Sequence, residues 1–64
     1  MNFKEYLEEN RHSYASFAEM SGLHKGTVRN ICVGKTINLE SAAKIELATK
    51  GKVKCMELYY DFLA

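Results

Sequence analysis

Between Ser21 and Thr36 the chain carries Lys25, Arg29 and Lys35, the ionisable ring of His24, and no acid. Wound at about 100° per residue, a helix here puts Lys25, Gly26, Arg29, Asn30 and Val33 on one side and His24, Val28, Ile31 and Cys32 on the other. The first side offers an ammonium, a forked guanidinium and a carboxamide, donors suited to an anionic surface, and no local acid neutralises it. Elsewhere the balance differs: Met1 to Met20 sums to −2, Ser21 to Thr36 to +3 and Ile37 to Ala64 to zero, for a net charge of +1. That layout fits a small reader of polyanions with a repelling outer side better than a protein that coats itself in nucleic acid.

Other chemistry has little to stand on. Glu8 and Glu9 are adjacent and diverge on a helix, and Ser13 beside His12 lacks an orienting acid at any evident spacing, so no enzyme is expected. Cys32 and Cys55 form at most one disulfide and show no CxxC spacing. They are expected to act as small buried apolar residues in a reducing compartment. His12, His24, Cys32 and Cys55 contain no pair with ligand-like spacing, so neither metal nor other cofactor is expected, and no small-molecule ligand is evident. No apolar run exceeds three residues, and charges are mixed through the first twenty positions. A membrane span and a signal peptide are therefore not expected, and the default location is the cytoplasm.

The elements that position the basic side follow from periodicity. With 64 residues the chain is expected to be one domain, residues 1–64, burying only about 60% of its unfolded surface, too small for a large enzyme cleft. Stripes of Phe3, Tyr6, Leu7 and Asn10, then Tyr14, Phe17 and Ala18, then Val28, Ile31 and Cys32 predict helices at about Asn2 to Asn10, Tyr14 to Ser21 and Lys25 to Val33. Ser13 is the expected N-cap of the second, and Gly22 its C-terminal stop. Asn38 caps a fourth helix running to about Lys50, with Gly51 as its stop. Its apolar set (Leu39, Ala42, Ala43, Ile45, Leu47, Ala48) spans a wide arc, so it is expected to be largely covered. From Val53 onward alternation is poor, which favours a fifth helix over a strand. Cys55, Leu58, Tyr59 and Phe62 form one apolar face of it, and Met56, Tyr60 and Leu63 a second that needs another partner.

Ala18, Gly22, Val28 and Ile31 follow an A-x3-G-x5-V-x2-I pattern across helix, turn and helix. A small Ala18 allows close approach, Gly22 supplies the turn, Leu23 plugs the gap beneath it, and Val28 and Ile31 anchor the second helix. On these residues the chain resembles the phage Cro and repressor family of helix-turn-helix proteins. Ser13 to Gly34, SYASFAEMSGLHKGTVRNICVG, keeps the family phasing, and KIELATKGKV (Lys44 to Val53) looks like a segment common in compact Cro-like and toxin-antitoxin regulators. The resemblance covers roughly Phe3 to Leu58. It implies an all-α fold, a compact bundle of four to five short helices of the lambda repressor-like DNA-binding type, and double-stranded DNA as partner. Two departures stand out. His24 replaces the usual Ser or Thr cap, and Tyr59 and Tyr60 lie where the family often has a short acidic turn containing proline.

Carried over position by position, the resemblance implies base contacts from Lys25, Gly26, Arg29, Asn30 and Val33. Arg29 suits guanine O6 and N7, Asn30 suits adenine N6 and N7, Val33 suits a thymine methyl, and Gly26 suits a close backbone approach. Phosphate contacts are expected from Ser13, Tyr14, His24, Thr27, Lys35 and the backbone around Gly34. Met56, Tyr59, Tyr60 and Leu63 are the expected dimer interface, since one recognition helix per monomer contacts few bases and a homodimer on DNA doubles them. The contrasting expectation is an antitoxin-like or adaptor module that binds a protein through the aromatic C-terminal segment. Lys50, Lys52 and Lys54 fit solubility better than a second phosphate patch.

Overall fold

A computed structural model describes residues 2–63 and contains five helices: α1 (Phe3–Glu9), α2 (Tyr14–Ser21), α3 (Lys25–Cys32), α4 (Leu39–Ala48) and α5 (Cys55–Leu63). The fold is all-α, as expected, and the segment after Val53 is a helix. Met1 and Ala64 lie outside the described residues.

Side-chain caps set most of the helix starts. Asn2 Oδ1 accepts from the Glu5 N–H at 2.8 Å, and Asn38 Oδ1 accepts from the Ser41 N–H at 2.8 Å. At α2 the Ser13 hydroxyl accepts from Ser16 N–H while Ser16 Oγ accepts from Ser13 N–H, both at 3.0 Å, a reciprocal capping box. A cap of this kind is worth about 1 kcal/mol.

The core joins all five helices. Phe17, Val28, Ala42, Ile45 and Val53 are fully covered, with Phe3, Tyr6, Leu7, Ile31 and Leu58 around them. Phe17 sits at the centre of an aromatic cluster, with the Phe3 ring edge-on at 5.0 Å and the Tyr6 ring edge-on at 6.1 Å. His12 completes it, edge-on to Phe17 at 5.8 Å and stacked on Tyr6 at 6.2 Å.

Lys44 to Val53 shows what its residues do. Ile45 is buried beneath α4, and Glu46 turns its carboxylate to the first N–H of α5, Cys55, at 2.7 Å. Thr49 is buried, and its Oγ1 accepts from Val53 N–H at 3.1 Å and donates to the Glu46 carbonyl at 3.2 Å, pinning the turn. Gly51, with φ +81°, takes the left-handed conformation that closes it. This block is the bracket that docks α5 on α4.

Several expectations are corrected. α4 ends at Ala48 with Thr49 as its C-cap, because Lys50 adopts φ +55° and its N–H returns to the Leu47 carbonyl at 3.1 Å. Nor is α4 largely covered. Ala42 and Ile45 face the core, while Leu39, Ala43 and Leu47 face outward. Asn10 is exposed and caps α1 instead of extending its apolar stripe, its Nδ2 donating to the Tyr6 carbonyl at 2.9 Å. The cysteines are free and half-buried, not fully buried, because each lies at the edge of its helix's inward arc.

Candidate nucleic-acid interface

The turn between α2 and α3 is built as the spacing predicts. Ala18 is buried, and its carbonyl accepts from the N–H groups of Gly22 at 2.9 Å and Leu23 at 3.1 Å. Gly22 has φ +78°, and Leu23 packs half-buried against the core. Val28 and Ile31 then fix the inner side of α3. What remains outside is polar. Lys25, Gly26 and Arg29 are exposed, Val33 is 55% exposed, and Thr27 and Asn30 are half-buried at the margins. An α-helix with its side chains is about 10–12 Å across, which a B-DNA major groove about 12 Å wide admits.

Gly26 has no internal reason to be glycine. Its φ is not positive, and an added Cβ would meet nothing within 4 Å. Its helix-propensity cost, about 1 kcal/mol against alanine, is not repaid inside the chain.

The ends of α3 hold two corrections. His24 does not share the buried side with Val28 and Ile31. It is the exposed N-cap, in extended conformation, and its side chain makes no capping hydrogen bond. At the other end Gly34, with φ +77°, donates to the Ile31 carbonyl at 3.1 Å and Lys35 N–H donates to the Asn30 carbonyl at 2.8 Å. This is a Schellman closure. Both N–H groups are thereby occupied, so the backbone here has no donor left for a phosphate, and only the exposed Lys35 side chain is available.

The start of α2 lies beside α3. Tyr14 and Cys32 line one open cleft of about 370 Å³ with Lys4, Leu7, Glu8, His12 and Ser13. Electrostatic repulsion from Cys32 and a hydrogen bond that the Tyr14 hydroxyl donates to it push the phenol above its ordinary value, against the opposing pull of Arg29. Ser13 is exposed, and its hydroxyl already accepts the Ser16 N–H, leaving its proton free to donate. Sequence reasoning missed His12, whose Nδ1 shares a 3.0 Å hydrogen bond with Ser16 Oγ and so fastens the start of α2 to the aromatic cluster. With no orienting acid it was set aside as a catalytic base, and its packing role leaves no local signal, because the Tyr6 and Phe17 rings it meets come together only in the fold.

The expected interface residues on α5 divide. Met56, Tyr60 and Leu63 are 65%, 67% and 77% exposed, whereas Tyr59 is half-buried against the core. Among the described residues no three His, Cys, Asp or Glu side chains are grouped to hold a metal, and no helix is long and apolar enough to cross a membrane.

A tight α2–turn–α3 pair, with α3 anchored inside and basic outside, defines a helix-turn-helix DNA-binding domain. The chain belongs to the Cro/C1-type helix-turn-helix family, whose model matches residues 3–52 and thus α1 through α4. It is accordingly a DNA-binding regulator, in a family of regulatory domains and not of enzymes. No curated protein and no solved structure matches the chain significantly.

Proposed function

We propose that the chain is a sequence-specific repressor of Cro type, a single cytoplasmic domain that binds a palindromic operator in double-stranded DNA as a homodimer. The observation that carries this reading is the division of α3 into a fixed apolar side and an exposed side of Lys25, Gly26 and Arg29 with no acid among them. Arg29 and Asn30 read base edges, Lys25 reaches a base or phosphate, Val33 meets a thymine methyl, and Gly26 lets the backbone approach the groove wall. Tyr14, Ser13, His24, Thr27 and Lys35 hold phosphates on either side.

The homodimer reading rests on size and on α5. The monomer measures 26 × 20 × 18 Å, whereas successive major-groove half-sites lie about 34 Å apart, so one molecule reaches one half-site. Two copies joined through Met56, Tyr60, Leu63 and the open edge of Tyr59 reach two. Selection from random duplex DNA at physiological salt should enrich a palindrome with half-sites one turn apart. Failure of a folded protein to enrich any sequence would overturn the reading.

The same exposed apolar face on α5 favours a second reading, a protein-interaction module whose DNA contact is secondary. Under it, replacing Arg29 and Asn30 by Ala leaves function intact while replacing Tyr60 and Leu63 abolishes it. The repressor reading requires loss of function from the Arg29 and Asn30 changes.

A further inference from the structure

Two open clefts meet at one side chain of α1. The first, of about 370 Å³, is bordered by Ser13 and Tyr14 at the start of α2. The second, of about 250 Å³, is bordered by Val33 and Gly34 at the end of α3. Lys4 and Cys32 line both, so Lys4 lies across from the last turn of α3. Phe3 and Leu7, both buried, hold α1 at this junction and leave Lys4 exposed beside them. Glu8 lines the first cleft and Asp61 the second, yet Lys4 forms an ion pair with neither. Lys4 precedes Glu8 by four residues, the less favourable order for an ion pair along a helix. Its ammonium is therefore a cation without a partner in the chain, placed between the two ends of the helix-turn-helix pair that border the DNA-facing side.

We propose that Lys4 is a further contact to the DNA backbone, which carries the phosphate-binding flank of α2 and α3 onto α1. This rests on the reading above, in which the exposed side of α3 enters the groove with phosphates held beside it. A phosphate near Ser13 and Tyr14 lies at the mouth of the cleft that Lys4 lines. The Ser13 and Tyr14 hydroxyls bring no charge to it, and in the free chain the Tyr14 hydroxyl donates to Cys32. Lys4 supplies the missing charge, as a compact ammonium on a flexible stem that suits a phosphate better than a base edge. Sequence alone gave Lys4 no role, because it stands in a segment whose net charge is −2.

The test is the salt dependence of binding to a mixed-sequence duplex two helical turns long, followed by fluorescence anisotropy. Each phosphate neutralised adds about 0.9 to the slope of log affinity against log salt. Lys4→Gln should lower that slope by this amount per bound chain, so that the affinity lost between about 50 and 200 mM salt shrinks roughly 3.5-fold, and Lys4→Arg should restore it. Lys52→Gln removes the same charge from the exposed turn between α4 and α5, outside both clefts, and should leave the slope unchanged. Lys4 and Lys52 are both exposed, and unchanged far-UV circular dichroism confirms folding. A wild-type slope in Lys4→Gln, equal falls in Lys4→Gln and Lys52→Gln, or no rescue by arginine would overturn the contact. Lys35→Gln separates this from failure of the underlying reading: a lower slope there with Lys4→Gln silent removes Lys4 alone, whereas a folded wild-type chain that binds no duplex at low salt removes both.

Discussion

α3 and α5 are anchored in the same way and differ in what they leave outside. α3 buries Val28 and Ile31 with Cys32 at the margin, and α5 buries Leu58 with Cys55 and Tyr59 at the margin. Outward, α3 presents Lys25 and Arg29, and α5 presents Met56, Tyr60 and Leu63. A polar outer side is stable in water and becomes selective only when a surface of matching donors and acceptors is brought to it. An apolar outer side leaves hydrocarbon in water at about 25 cal/mol per Å², a standing drive towards a protein surface. On the proposed reading the two helices divide recognition between nucleic acid and protein.

The comparison is broken outright by removing what both helices rest on. Phe17 is fully buried in the aromatic cluster, and Phe17→Ala should cost about 3–5 kcal/mol, enough in so small a domain to unfold most of the population. Urea denaturation followed by circular dichroism would measure it.

Arg29→Ala sharpens the α3 side. The side chain is exposed, so stability should hold within about 0.5 kcal/mol while operator affinity falls by about 1–3 kcal/mol and discrimination relaxes at one base pair. Fluorescence anisotropy with base-substituted duplexes reads both. The matching change on α5, Tyr60→Ser, should leave the monomer folded and shift self-association, seen by sedimentation, by about 1–2 kcal/mol, lowering affinity for a two-half-site duplex more than for a single half-site.

The smallest effect has opposite signs in two assays. An added Cβ on Gly26 meets nothing in the chain, so Gly26→Ala should raise stability by up to about 1 kcal/mol. If the α3 backbone approaches the groove wall, the same substitution should weaken DNA binding. A variant that is both more stable and a tighter binder would show that this glycine serves no contact.

Much of this arrangement was legible in the sequence because local signals agreed. Ser13, Gly22 and the Ala18, Val28 and Ile31 anchors each state a local conformation, and the pattern placed α2 to the residue and ended α3 one residue late, at Val33 instead of Cys32. The segment from Lys44 to Val53 was recognisable by its letters, but the work of Glu46 and Thr49 was not, since both bond partners that only the folded turn brings near. α4 was misjudged because a wide apolar arc does not say which part meets a neighbour; Leu39 and Leu47 look like core until the position of α5 is known. His12 was set aside as a catalytic or metal-binding group with no other role in view, and the structure makes it an aromatic prop for α2. Charge alone could not reveal that the N–H groups of Gly34 and Lys35 close α3 instead of facing outward.

The most direct test of the account is amide chemical-shift mapping of the uniformly labelled chain during titration with a duplex operator. The account predicts that the largest changes fall on His24 through Asn30, with further changes at Ser13, Tyr14 and Lys35, while Leu39, Ala43 and Leu47 on α4 move least. Perturbation centred on Met56 to Leu63 with α3 unchanged, in a protein that stays folded, would contradict it.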